Sequence, residues 1–127
     1  MHWIAIVTLL ALVEYLVIMG MVGQARGKYG VKAPATTGHE IFERTFRVHQ
    51  NTLEQLVVFL PALWLFGHYA SPGWGALLGL AFIVGRGLYA RGYVENPEHR
   101  ELGFGLGLVA TAILLLGGLL GALRSAF

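Results

Sequence analysis

The sequence predicts an all-α membrane protein, a four-transmembrane-helix bundle built as a single domain over residues 1–127. Three observations carry that prediction. Hydrophobic residues make up 56% of the chain and charged residues only 13%, against about 25% charge in an ordinary soluble domain. Four apolar runs, near 3–25, 53–70, 74–90 and 102–123, each approach the ~17–25 residues that cross a ~30 Å hydrocarbon layer. The basic residues are also unevenly placed: Arg26, Lys28, Lys32, Arg44, Arg47, Arg86, Arg91 and Arg100 lie near the first or third connection, leaving Arg124 alone at the far end. A chain this short has too much surface for its volume to hide so much apolar area from water by itself.

The first run, His2 to Gln24, is interrupted at its middle by Glu14 and Tyr15. It is expected to be a span rather than a cleaved leader, since it is long and has no basic flank before it. Glu14 is costly against lipid, so it is expected to face the bundle or a subunit interface in a structural, supporting role. Residues 26–40 read as the only long connection, punctuated by Gly27, Gly30, Pro34 and Gly38.

The second helix is predicted to start at Glu40 or Ile41, with Thr37 or Gly38 in the turn before it, and to run to about Tyr69. Glu40 and Glu43 suit the positive end of the helix dipole. Pro61 falls inside this span, where neighbouring helices can compensate for the lost hydrogen bond. Ser71, Pro72 and Gly73 make a short turn into an antiparallel third helix, predicted from Gly73 or Trp74 toward Tyr93. Asn96 and Pro97 mark the next turn, with Glu98 to Glu101 opening the fourth helix. The pairs Gly103/Gly107 and Gly117/Gly121 in that helix suit close helix packing. They do not follow a strand, which argues against a dinucleotide loop.

Several chemistries are excluded or disfavoured. Without cysteine there are no disulfides, thiolate nucleophiles or cysteine-held metals. His49 has no partner at metal-ligand spacing, so no metal site is expected, and no serine triad is visible. The net charge of +2 and pI of about 9.2 do not indicate nucleic acid, because the positive charge lies at one membrane side. The positive-inside tendency puts both basic connections in the cytoplasm and both termini opposite.

The polar ends of helices 2 and 3 therefore meet on one side. Arg47, Asn51 and Glu54 share a helix-2 face at i, i+4 and i+7, and Arg86, Tyr89 and Tyr93 share a helix-3 face. Together with Arg100 they mix guanidinium, amide, carboxylate and phenol groups, a set suited to a small zwitterionic ligand with more than one carboxylate. The competing reading is an ion-paired network that only packs the helices. Arg44 and Arg91 are expected to make headgroup or structural contacts.

The stretches ERTFRVHQNTLE at 43–54 and GRGLYARGY at 85–93, set among four apolar spans, resemble the family of membrane-associated proteins in eicosanoid and glutathione metabolism. The resemblance implies a homotrimer of four-helix protomers with glutathione as co-substrate, held between subunits at the cytoplasmic side. It implies glutathione contacts from Arg26, Arg47, His49, Asn51, Glu54, Gln55, Tyr89, Tyr93 and Arg100. Arg100 is its first candidate for stabilising the thiolate and Arg26 the second, with Glu14, Arg44 and Arg86 in supporting roles.

The implied activity is conjugation of glutathione to hydrophobic electrophiles from the lipid phase, with lipid-hydroperoxide reduction open to the same thiolate. Phospholipid is the implied surrounding partner and nucleic acid is not. The alternative is a non-enzymatic lipid-binding or scaffold protein of the same family. That alternative draws on Gly27, which stands where the leukotriene-synthase branch carries a second basic residue after helix 1.

Overall fold

In the computed structural model, which describes residues 1–127 apart from the side chains of Pro97 and His99, four long helices follow one another along the chain. They are α1 (His2–Tyr29), α2 (Glu40–Tyr69), α3 (Pro72–Glu95) and α4 (Glu101–Ala126), with a 3₁₀ turn at Pro97–Arg100 before α4. Three of them, α1, α3 and α4, are long and apolar enough to cross a bilayer. α2 begins with a polar third before its apolar part.

The helix ends follow from local chemistry and correct several expected boundaries. α1 continues past Gln24 to Tyr29 and stops where Gly30 takes a left-handed φ of 68°, a conformation glycine adopts without a Cβ clash. Arg26 and Lys28 therefore sit on the last turn of a helix, where cations suit the negative end of the dipole, and the connection shrinks to residues 30–39. α2 starts at Glu40, as expected, and is capped by His39: the Ile41 amide donates to His39 Nδ1 at 3.2 Å. Pro61 lies inside α2 without ending it.

Ser71 caps α3, its Oγ accepting from the Trp74 amide at 3.3 Å, with Pro72 at the first helical position, where no amide hydrogen is needed. At the other end Asn96 Oδ1 accepts from the Glu98 amide at 3.1 Å. Residues 97–100 consequently form the 3₁₀ turn rather than the first turn of α4.

All four helices supply the core. Ile4 and Val7 of α1, Phe59 and Leu63 of α2, Phe82 of α3 and Leu114 of α4 are buried together, and the Phe59 and Phe82 rings stack with centroids 3.8 Å apart. Glycines set the helix spacing. A Cβ at Gly85 would stand 2.9 Å from both Gly103 O and Gly107 N of α4, and one at Gly121 would stand 2.5 Å from Tyr69 O. Carbon contacts prefer about 3.5–4.0 Å, so α4 lies backbone to backbone against α3 at one end and the end of α2 at the other.

The outer surface is apolar: Leu9, Leu16, Leu116 and Leu120 are all more than 60% exposed. Water would penalise such a belt, whereas lipid does not. The protein is an integral membrane protein, and the polar heads of α2, the end of α3 and the turn before α4 gather at one end of the bundle.

Candidate functional site

A cavity of about 340 Å³ opens at that polar end, lined by Arg47 and Asn51 from α2, Tyr89 and Tyr93 from α3, Arg100 from the 3₁₀ turn, and Phe104 from α4. Each lining group owes its place to helix periodicity. Arg47 and Asn51 are one turn apart on the α2 face toward α3, and Tyr89 and Tyr93 are one turn apart on the opposing face of α3. The 3₁₀ turn then folds Arg100 back over the same opening, and Phe104 follows one helical turn later.

The aromatic side is ordered by ring contacts. Tyr89 and Tyr93 stack with centroids 5.6 Å apart, and Phe104 tilts against Tyr89 at 6.1 Å. Tyr89 is only 4% exposed. The Arg86 guanidinium lies behind it, 4.2 Å from the ring centroid, and Arg47 and Arg100 line the same cavity. On the α2 side the buried Asn51 Oδ1 has no hydrogen-bond partner among the described residues, and a buried acceptor of this kind is normally satisfied.

A second, larger polar cavity of about 560 Å³ shares Arg47 and Tyr93 with the first and extends over Thr36, Thr37, Glu43 and Gln50. Its wall is tied down by Arg44, which donates to the Val94 and Glu95 carbonyls at 3.3 Å each and pairs with Glu40. Arg44 thereby ties the end of α3 to α2. Arg91 pairs with Glu95 at 3.5 Å on an exposed surface, where such pairs add little stability.

Five of the nine residues expected to contact a ligand therefore line one protomer's cavity: Arg47, Asn51, Tyr89, Tyr93 and Arg100. The other four do not join them there. Arg26 donates to the Ala35 carbonyl at 2.7 Å and lies over the Phe42 ring, on the α1 side of α2. His49, two residues from Arg47, is rotated about 200° around the helix. It hydrogen-bonds the Tyr15 hydroxyl at 2.9 Å and stacks on that ring. Glu54 keeps the Arg47 face but lies roughly 10 Å further along α2, exposed at the bundle surface, and Gln55 is half-buried beside it.

Two contributors went unnoticed in the sequence. Phe104 was hidden among the apolar residues of α4, although its spacing of four from Arg100 was a usable signal. Thr52 sat unremarked beside Asn51, yet its Oγ1 accepts a 2.8 Å hydrogen bond from Arg86. Among the described residues no group of three or more His, Asp or Glu side chains gathers at metal-binding distance.

A four-helix membrane bundle with a cation-rich, aromatic-walled cavity at one polar end defines a class of small integral membrane proteins able to hold an anionic ligand beside the lipid phase. The MAPEG family profile matches residues 4–120, and the chain belongs to that family. An uncharacterised protein of Synechocystis is 53% identical over 121 residues, covering 95% of this chain and 88% of that one. Human microsomal glutathione S-transferase 2 is 45% identical over 104 residues, 82% of this chain and 71% of the human protein. Rat leukotriene C4 synthase is 36% identical over 97 residues, 76% and 65% of the two chains.

Proposed function

We propose that this protein is a glutathione-dependent membrane transferase that conjugates the peptide thiol to hydrophobic electrophiles drawn from the bilayer. The observation that carries the reading is the convergence of Arg47, Asn51, Tyr89, Tyr93 and Arg100 on one cavity. Its support from relatives is the likeness to microsomal glutathione S-transferase 2 and leukotriene C4 synthase. Glutathione carries two carboxylates, an ammonium and a thiol. Arg47 and Arg100 suit its anionic groups, and the unpartnered Asn51 Oδ1 suits a donor from its amides or ammonium.

Catalysis follows from the charges. A free cysteine thiol has a pKa of about 8.5 and reacts as the thiolate. A guanidinium next to sulfur favours the charged form and holds it in place without reorganisation. Arg100 takes that role. The sulfur then attacks the electrophilic carbon, a bond to the leaving group breaks, and the thiol proton is released to water. With a lipid hydroperoxide, two glutathione molecules supply the electrons, giving the alcohol, water and glutathione disulfide. Both reactions gain from confining the thiol beside the membrane surface.

The site is completed by a neighbouring subunit in a homotrimer: Arg26 and His49, which face away from the protomer's own cavity, reach the cavity next door and supply a second cation and a polar contact. Glu54 and Gln55, on the surface of α2, line the same subunit boundary. The polar end faces the cytoplasm and both termini face the other side, with phospholipid around the apolar belt. A lipid-binding protein without turnover is the second reading, favoured by Gly27, whose position offers no cation beside Arg26.

A turnover assay on detergent-purified protein separates the two. Halogenated aromatics and lipid hydroperoxides are supplied with glutathione, against a control lacking protein. Substrate-dependent thiol consumption above the control is expected; lipid binding with no thiol loss on any substrate rejects the transferase.

A further inference from the structure

Behind the cavity lies a buried polar layer that contact with ligand does not explain. Arg86 is 1% exposed, yet it touches all three long helices that wall the site. Its guanidinium lies over the Tyr89 ring, one turn along α3. Its stem lies against α4, where a Cβ at Gly107 would stand 3.8 Å from Arg86 Cδ. Its Nη2 donates to Thr52 Oγ1 of α2 at 2.8 Å. The direct ion pairs among the described residues are Arg44–Glu40 and Arg91–Glu95, and the half-buried Glu14 lines a separate cleft between α1 and α3. Arg86 Nε has no hydrogen-bond partner among the described residues, so the Thr52 hydroxyl is the acceptor that holds this cation.

Thr52 suits that role through its own bonding. It is 1% exposed and follows Asn51 by about 100° of helix rotation, which turns it from the cavity into the bundle. Its hydroxyl donates its single proton to the Val48 carbonyl at 2.7 Å, a bond to the preceding turn that fixes the side-chain rotamer. The oxygen then has only lone pairs to offer, and a guanidinium is a donor without acceptors. The match is directional: Val48 sets where Oγ1 sits, Oγ1 sets where the Arg86 head sits, and that head backs Tyr89. A hydrogen bond to a charged group is among the stronger kinds, and a buried guanidinium deprived of its acceptor is costly.

We infer that Thr52 is a positioning residue for the polar cavity: its hydroxyl pins the Arg86 guanidinium against the Tyr89 ring, so that the α2 wall at Asn51 and the α3 wall at Tyr89 keep one spacing. This rests on the cavity being the glutathione site. Without the hydroxyl, Arg86 gains by leaving the Tyr89 ring for hydrated space, and the cavity bordered by Tyr89 and Asn51 offers it. The ring then loses its backing and the ligand loses room.

The test uses the whole detergent-purified protein and two readouts, glutathione affinity by calorimetry and the near-ultraviolet circular dichroism of Tyr89. The second is taken in each background as the spectrum minus that of the matching Tyr89→Phe variant. Thr52→Val keeps the shape and removes the hydroxyl. It is expected to lower the Tyr89 signal and to weaken glutathione binding roughly tenfold, the scale of a hydrogen bond to a charged group. Thr52→Ser, which keeps the hydroxyl, is expected to restore most of both. In an Arg86→Met background Thr52→Val should change neither any further, because a residue that acts through another is not additive with it.

An unchanged Tyr89 signal and affinity in Thr52→Val overturn the proposal. So does an equal loss in Thr52→Ser, which would mark the methyl group rather than the hydroxyl as what matters. Fully additive losses in the double variant overturn it as well, since Thr52 would then act without Arg86. Should Thr52→Val not fold, Thr52→Val/Arg86→Met leaves no buried cation lacking an acceptor. It is expected to fold with the Tyr89 signal lowered, and a wild-type signal there is again fatal to the proposal. If wild type itself binds no glutathione, the functional reading fails, and the Tyr89 signal alone still decides whether Thr52 positions that ring.

Discussion

Adding one methyl group at Gly103 tests how closely the site depends on the contact between α3 and α4. A Cβ there would stand 2.6 Å from Gly85 O and 2.8 Å from Tyr89 Cα. Both are backbone atoms that cannot rotate away, so the helices must separate by roughly 0.7 Å or more to reach the ordinary contact distance of about 3.5 Å. Overpacking of this kind costs about 1–3 kcal/mol. Alanine also gains about 1 kcal/mol over glycine in helix propensity, which a control must remove. Gly105→Ala is that control, because a Cβ at Gly105 meets nothing within 4 Å among the described residues.

The difference between Gly103→Ala and Gly105→Ala therefore isolates the overpacking, roughly a 5- to 150-fold change in the folding equilibrium at 1.4 kcal/mol per decade. Reversible unfolding in mixed micelles measures it. Because the displaced backbone belongs to Tyr89, glutathione affinity measured under folding conditions should fall in Gly103→Ala and hold in Gly105→Ala. Equal stability and equal affinity in the two variants would refute the close approach of α3 and α4 and the link drawn from it to the cavity.

Other predictions follow the same logic. Thr52→Val keeps the shape but leaves Arg86 without its 2.8 Å acceptor, so micelle unfolding should show a loss of about 1–3 kcal/mol; an unaltered midpoint would mean that water serves Arg86 equally well. Arg100→Ala should abolish most of the ultraviolet thiolate absorbance of bound glutathione while size-exclusion elution stays that of wild type, and full retention of the absorbance would remove Arg100 from thiol activation. Single cysteines at Lys32 and Ser71, probed with a membrane-impermeant reagent, should label from opposite sides of the bilayer. Labelling of both from one side contradicts the topology.

Much of the architecture was legible because lipid imposes a simple rule: a span must be long, apolar and helical, and the four runs say so directly. Boundaries were less legible. The extension of α1 through Arg26 and Lys28 is invisible to hydropathy, since a helix can leave the bilayer and continue in water until Gly30 allows it to stop. His39 is not legible as the cap because histidine is an uncommon one.

At the site, periodicity correctly joined Arg47 with Asn51 and Tyr89 with Tyr93, because residues a turn apart must share a face. It could not separate an arginine that faces the cavity from one turned inward. Arg86 shares its helix face with Tyr89, and only the tertiary packing of Thr52 against it reveals an interior role. Likewise Arg26 and His49 carry suitable chemistry, but the rotation of α1 and α2 turns them from the cavity that holds the other five.

The central claim is that this polar cavity binds a peptide thiol as its thiolate. Titrating glutathione into the detergent-purified protein while following ultraviolet thiolate absorbance and heat together tests it most directly. Saturable binding with rising thiolate absorbance is predicted, weakened in Arg47→Ala by about 1.5–3 kcal/mol, the range for a hydrogen bond to a charged group. Neither heat nor absorbance in the wild-type protein at millimolar glutathione, or identical curves for wild type and Arg47→Ala, would contradict it.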